Sequence, residues 1–242
     1  LHRVFRMFYE AGCDAVDACC FGANEVVLAE FGLEDRTREL NRIAAQVINQ
    51  VRDEFSTPER PRYSFGCIGP GTKLPSLGHI TWDELVHSYR EQALGLLDGG
   101  IDVMKVETCQ DLLQTKAALA GIADAFAQTG QRIPVIASVT IETTGTMLLG
   151  SDIACALTTL EAMDLADVIG INCATGPEQM VDHVRFLAES SRRPLFIAPN
   201  AGLPELVDGE ACYRLTPDEF ARYQKIFVDE FGTSIAGGCC GT

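Results

Sequence analysis

Apolar runs of strand length alternate with amphipathic helical stretches along the whole chain, seven of each, helix first and strand last. The strand runs are apolar at nearly every position rather than every second one, the pattern of strands buried on both faces of a parallel sheet. Neither a Gly-x-Gly-x-x-Gly stretch nor a phosphate-binding loop follows the first strand, which weakens a nucleotide-binding open sheet. These three observations predict an α/β fold of the (β/α)8 or TIM-barrel type over residues 1–242. The chain opens on Leu1, already helical, and stops at Thr242 soon after its last strand. It is therefore expected to be a truncated barrel domain, lacking the first strand and the last helix and incomplete at both ends.

Each element has its own signal. Leu1, Val4, Phe5 and Phe8 recur at helical spacing, Gly12 stops that helix, and Asp14 to Phe21 reads as a short strand. A long helical region follows Asn24, broken near Phe31-Gly32, with a stripe of Leu40, Ile43, Ala44, Val47, Ile48 and Val51. Tyr63 to Gly69 is the second strand. Thr81 with Glu84 spells a capping box for a helix carrying Leu85, Val86, Tyr89 and Leu96, and Gly99-Gly100 ends it. A strand from Asp102 to Val106 runs into Glu107-Thr108, and a helix covers Asp111 to Phe126. Strands follow at 134–140, 168–172 and 194–198, with helices at 151–163 and from Thr175 through Leu187. A loop is expected up to Leu215. Thr216-Pro217-Asp218-Glu219 then opens the last helix, which Gly232 ends before the final short strand.

Composition narrows the function classes. With 47% hydrophobic and 22% charged residues the 242-residue chain is an ordinary globular sequence. Its 19 basic against 34 acidic residues give a net charge of −15, which argues against nucleic acid as a partner. No apolar run is long enough to span a bilayer and no signal-peptide pattern is present, so no membrane partner is expected. The ten cysteines sit mostly inside strand-like runs, which favours reduced thiols and a cytoplasmic location over a disulfide scaffold.

In a barrel the C-terminal ends of all strands open on one face. At such ends lie Asp17 with Cys19 and Cys20, Glu107-Thr108-Cys109, Thr140, Asn172-Cys173, Asn200 and Cys239-Cys240. Cys173 and the Cys239-Cys240 pair end strands six and eight of the completed barrel. Three thiols there can meet on one soft metal, most naturally zinc with an open fourth position. The alternative is that they are small buried hydrophobes, as free cysteines usually are. Three thiolates make zinc a weak Lewis acid but a good seat for another thiolate, which points to alkyl transfer onto sulfur. Glu107 is the candidate to bind a substrate ammonium, with a structural carboxylate as the equal alternative. Asn172 and Asn200 are candidates to orient substrate or to hold turns. Packing is the favoured role for Cys19 and Cys20. A Schiff-base role for Lys105 is a poor fit, and His2, His79, His87 and His183 lack the spacing of a metal-ligand pair.

The stretches Gly170-Ile171-Asn172-Cys173 and Gly237-Gly238-Cys239-Cys240-Gly241-Thr242 resemble the zinc signature of the homocysteine S-methyltransferase family. Phe21-Gly22-Ala23-Asn24, Val106-Glu107-Thr108 and Pro199-Asn200-Ala201-Gly202-Leu203-Pro204 fit the same family, the last most of all its cobalamin-using branch. The resemblance covers the whole chain. It implies that Cys173, Cys239 and Cys240 bind Zn2+, that homocysteine adds its thiolate as fourth ligand, and that Glu107 contacts the homocysteine amine. It implies methionine as product, with methylcobalamin on another domain as the methyl donor. Cobalamin-binding and methyltetrahydrofolate-binding modules are then partners, expected on the same full-length chain. Betaine or S-methylmethionine is the alternative donor, and a non-catalytic zinc or thiol sensor the alternative of another class. Ala18-Cys19-Cys20-Phe21 departs from the family, which usually has Thr-Asn-Thr before that phenylalanine. The family's first strand, with its Asp-Gly-Ala-Met-Gly-Thr-like stretch, is not in this sequence. The 242 residues alone are expected to be inactive or poorly folded, since a missing strand exposes two sheet edges.

Overall fold

The computed structural model describes residues 1–207 and 209–242. Seven parallel strands separated by helices give the α/β class that the alternation predicts. The residues cluster as two compact units, Leu1–Val106 with Leu113–Val135, and Glu107–Leu112 with Ile136–Thr242.

The first unit contains helix α1 (His2–Ala11), strand β1 (Ala15–Asp17), the short helix α2 (Glu25–Leu28), helix α3 (Thr37–Phe55), strand β2 (Tyr63–Ile68) and helix α4 (Trp82–Asp98). It also holds strand β3 (Val103–Cys109) up to Val106 and nearly all of helix α5 (Leu112–Thr129). The strands run parallel in the order β1-β2-β3, Val16 beside Ser64 and Cys67 beside Lys105. The capping box at Thr81 and Glu84 is formed, satisfying two of the orphan donors of α4 at about 1 kcal/mol. Gly95 lets α4 lie directly on α3, because a Cβ there would sit 2.5 Å from the Arg38 carbonyl oxygen. Asp102 ties β3 to its neighbours, accepting from Arg52 at 2.6 Å and from the Ser64 backbone N–H at 2.7 Å.

Two expectations for this unit need correction. Helix α1 buries Phe5 and Tyr9, whereas Leu1, Val4 and Phe8 are exposed. The inward face is set by Tyr9, whose ring stacks on Phe55 and whose hydroxyl donates to the Tyr63 carbonyl at 2.7 Å. An apolar stripe read from spacing alone cannot include a tyrosine that buries its ring and still finds an acceptor. Strand β1 is also shorter than expected, ending at Asp17, and Cys20 already belongs to the following turn.

The second unit takes β3 from Glu107 and β4 (Val135–Val139) from Ile136. It continues through α6 (Ile153–Met163), β5 (Val168–Asn172), α7 (Pro177–Ser190), β6 (Leu195–Ala198), α8 (Pro217–Asp229) and β9 (Ile235–Ala236). Its parallel order is β3-β4-β5-β6-β9, with Gly170 beside Phe196 and Ile197 beside Ala236. The Thr216 and Glu219 capping box opens α8 with Pro217 in its first turn. Strand β3 runs three residues beyond the expected end at Val106, and the Cys109 carbonyl still accepts from Thr140 N–H at 3.0 Å.

The expected loop before Leu215 contains an antiparallel pair, β7 (Glu205–Val207) with β8 (Glu210–Cys212), Leu206 opposite Ala211. Asp208, which falls in the same expected loop, lies outside the described residues. The strands are only three residues each, and all but Cys212 are exposed, so no buried apolar alternation announces them. The Asp208-Gly209 pair is the hairpin signal that this stretch of sequence carries.

Candidate metal and substrate site

Every residue of the site described below belongs to the second unit. Strand β5 ends on Asn172, and the chain then turns abruptly: Cys173 and Ala174 both adopt left-handed backbone, with φ of 62° and 61°. Such conformations cost non-glycine residues roughly 1–3 kcal/mol each and persist only where neighbours fix them. Here Cys173 N–H donates to the Ala198 carbonyl at 3.0 Å and Thr175 N–H to the Cys173 carbonyl at 2.8 Å. The turn aims the Cys173 thiol across β6 toward the end of β9.

Strand β9 extends that edge. Gly237 N–H bonds the Ile197 carbonyl and Cys239 N–H the Pro199 carbonyl, each at 2.9 Å. Asn200 accepts the Cys240 N–H on its side-chain Oδ1 at 3.0 Å, and Ala201 N–H returns a bond to the Cys240 carbonyl at 2.9 Å. Both thiols are thus positioned by backbone clamped to the Pro199-Asn200-Ala201 corner. Gly241 completes the clamp with φ of 82°, and a Cβ there would lie 2.4 Å from the Tyr213 ring. That ring follows directly on β8, so the hairpin brings an aromatic side chain against the cysteine loop.

The three sulfurs converge. Cys173, Cys239 and Cys240 place their Sγ atoms within 4.8 Å of one another, a grouping able to hold a metal ion. The Cys173 and Cys240 sulfurs are 3.8 Å apart. Electrostatics differentiate the three. Hydrogen bonding from Cys239 holds the Cys173 thiol down at about 6, against burial and with help from the Ala174 backbone N–H. Cys239, as the donor to that thiolate, is pushed well up, with burial and the Cys173 charge adding. Burial first, and the Cys173 charge second, also raise Cys240.

Glu107 sits next to this cluster at the end of β3, nine-tenths buried, and its charge is among the causes that raise Cys239. Asn172 is buried beneath it. Its Oδ1 accepts from the Thr108 N–H at 2.9 Å and the Ser138 hydroxyl at 2.5 Å. Its Nδ2 donates to Thr108 Oγ1 at 2.8 Å and reaches the Cys239 sulfur at 4.0 Å. The structure therefore brings together all five residues singled out from the sequence, Glu107, Asn172, Cys173, Cys239 and Cys240. Asn172 enters with its amide fully engaged by protein groups.

Thr108 and Thr140 were placed at strand ends without a role, and Ser138 and Tyr213 were not singled out. The links of Thr108, Ser138 and Thr140 to Asn172 exist only through the tertiary structure. Tyr213 follows a hairpin that left little trace in the sequence. Conversely, Lys105 is spent structurally in the first unit, its Nζ 2.7 Å from Asp17. Cys20 there hydrogen-bonds the Cys67 carbonyl at 3.1 Å as a packed thiol, and Cys19 is exposed. The ten cysteines form no disulfide, and among the described residues no helix is long and apolar enough to cross a membrane.

Known proteins match the same picture. The chain is 50% identical over its whole length to the methionine synthase of Mycobacterium tuberculosis and 48% identical to that of Mycobacterium leprae. It spans 20% of the length of each. Its fold superposes on the homocysteine methyltransferase MmuM from Escherichia coli in a metallated form. There the TM-score is 0.76 at 19% identity, covering all of this chain and 80% of that one; an oxidised form of the same protein gives 0.78 at 20%. The family model described as homocysteine S-methyltransferase matches residues 1–242. The chain belongs to the homocysteine S-methyltransferase family.

Proposed function

We propose that residues 1–242 form one homocysteine-binding domain in which Cys173, Cys239 and Cys240 hold zinc and a methyl group is transferred to homocysteine sulfur, giving methionine. The observation that carries this reading is the sulfur spacing. A tetrahedral zinc with bonds of about 2.3 Å sets its sulfur ligands about 3.8 Å apart, and Cys173 and Cys240 stand at that separation. The donor set is all thiol, which suits zinc over harder cations, and among the described residues three protein ligands converge, which suits a site that accepts a substrate.

Bound there, zinc would depress the pKa of an incoming thiol and hold it as a nucleophilic thiolate at neutral pH. The protein supplies the rest. Cys173, the lowest of the three thiols, would hold the metal as thiolate, and Cys239 and Cys240 would have to give up their protons to join it. The Glu107 carboxylate pairs with the substrate ammonium, fixing the amino acid while its sulfur faces the cysteines. Asn172 supports both ends of this arrangement from below.

The methyl donor is methylcobalamin, carried with a methyltetrahydrofolate-binding module on other parts of a longer chain. High identity to proteins named methionine synthase, of which this chain spans 20%, favours that donor over betaine or S-methylmethionine. Ten cysteines held outside disulfides support a reducing, cytoplasmic setting. The test is zinc content of the natural full-length protein, followed by proton release on adding homocysteine and methionine formation with methylcobalamin. Roughly one zinc per chain and one proton per homocysteine are expected. A protein without zinc, or zinc without proton release, sinks the reading.

A further inference from the structure

Between Glu107 and the cysteines lies a set of buried bonds that substrate binding does not use. Thr108 holds a left-handed backbone with φ of 59°, a conformation a β-branched residue adopts only under constraint. Two bonds to Asn172 supply that constraint, the Thr108 N–H to Oδ1 at 2.9 Å and Nδ2 to Thr108 Oγ1 at 2.8 Å. Asn172 is itself pinned from β4: Ser138 donates to its Oδ1 at 2.5 Å, and Thr140 to its main-chain carbonyl at 2.9 Å. Ser138, Thr140 and Asn172 are each at most 2% exposed, so water does not compete for these bonds. The other N–H of the same amide points to the Cys239 sulfur at 4.0 Å. One rigid planar group thus touches both the strand end that carries Glu107 and a thiol at the opposite end of the site.

We infer that Thr108, Ser138 and Asn172 are positioning residues that fix the span between the amine-binding carboxylate and the thiol-binding cysteines, and so select an amino thiol by chain length. The inference rests on the homocysteine reading. Homocysteine and cysteine differ by one methylene between amine and sulfur, and a site that fixes both ends rejects the shorter molecule because it cannot reach both. A methylene by itself gives only about 10- to 200-fold discrimination. A misplacement near 1 Å costs on the order of 100-fold, so loosening the span should erode selectivity more than it erodes folding or metal binding.

The experiment uses the full-length protein with cobalt(II) in place of zinc, whose visible bands report thiol uptake directly. Homocysteine and cysteine affinities are compared in wild type, Ser138→Ala, Thr108→Gly and the conservative Thr108→Ser. Thr108→Gly keeps the left-handed backbone accessible and removes the whole side chain, the hydroxyl that accepts from Asn172 included. A fall of about tenfold in the homocysteine-to-cysteine preference is expected in Ser138→Ala and Thr108→Gly. Metal content should be unchanged in both, and Thr108→Ser should recover the preference. Unchanged preference in both variants, with metal retained, overturns this inference alone. A wild type that takes up no homocysteine overturns the homocysteine reading together with it.

Discussion

The sequence contains two Cys-Cys pairs, each placed just after a short strand. Cys19-Cys20 follows β1 and Cys239-Cys240 follows β9. On paper they are equivalent. In the first pair Cys20 turns inward and donates to the Cys67 carbonyl at 3.1 Å, while Cys19 stays exposed. In the second, both thiols point at a third, Cys173, from a loop clamped by Asn200 and Ala201. A cysteine pair becomes a candidate metal site only where backbone outside it delivers another sulfur at ligand distance. Here that delivery depends on two consecutive left-handed residues, Cys173 and Ala174.

Replacement of the cysteines tests the contrast most severely. Cys173→Ala, Cys239→Ala and Cys240→Ala should each reduce zinc from roughly one per chain to almost none at micromolar metal, because two thiolates make a poor site. Cys19→Ala and Cys20→Ala should keep full zinc, and Cys20→Ala should cost stability by about 1 kcal/mol through its lost packing and hydrogen bond. Zinc measured by atomic emission on the same preparations decides it, and loss of zinc in Cys20→Ala would erase the distinction between the pairs.

A gentler change attacks the clamp and leaves all three thiols in place. Gly241→Ala forces a methyl into the Tyr213 ring at a backbone with φ of 82°. The strain is on the order of 1–3 kcal/mol, so a competitive chelator titration should give zinc affinity lowered by roughly tenfold or more. Unaltered affinity would mean that the loop holds its shape without the ring contact.

The mildest test changes only pH. In metal-free protein Cys173 is depressed to about 6 from 9.0, so its thiolate is present between those values, where an ordinary thiol is protonated. Cys239 and Cys240, being raised, stay protonated there. Brief iodoacetamide treatment at pH 7 followed by peptide mapping should label Cys173 ahead of its two partners, with its labelling rate falling as pH drops through 6. Cys19, exposed in the other pair, is the comparison; equal labelling of Cys19 and Cys173 would remove the electrostatic half of the contrast.

Much of this was legible in the residues. Buried strand runs and capping boxes at Thr81 and Thr216 placed the parallel elements to within a few residues, since they depend on local periodicity and local hydrogen bonds. The three cysteines could be grouped because strands six and eight of a barrel end on the same face. The α1 face was misread because Tyr9 buries its ring through one distant carbonyl. The hairpin of Glu205–Val207 with Glu210–Cys212 escaped because exposed three-residue strands carry no apolar alternation.

The sequence by itself determined the alternation of strands and helices, the supply of thiols, and the family likeness carried by Asn172-Cys173 and Gly238-Cys239-Cys240-Gly241. Tertiary structure alone decided which cysteines share a charge, that Asn172 spends its amide on Thr108 and Ser138, and that Tyr213 lies on Gly241. The division has a physical cause. Periodicity and capping are written in neighbouring residues, whereas a cluster of thiols depends on backbone dihedrals and on contacts between residues more than sixty positions apart, as with Cys173 and Cys240.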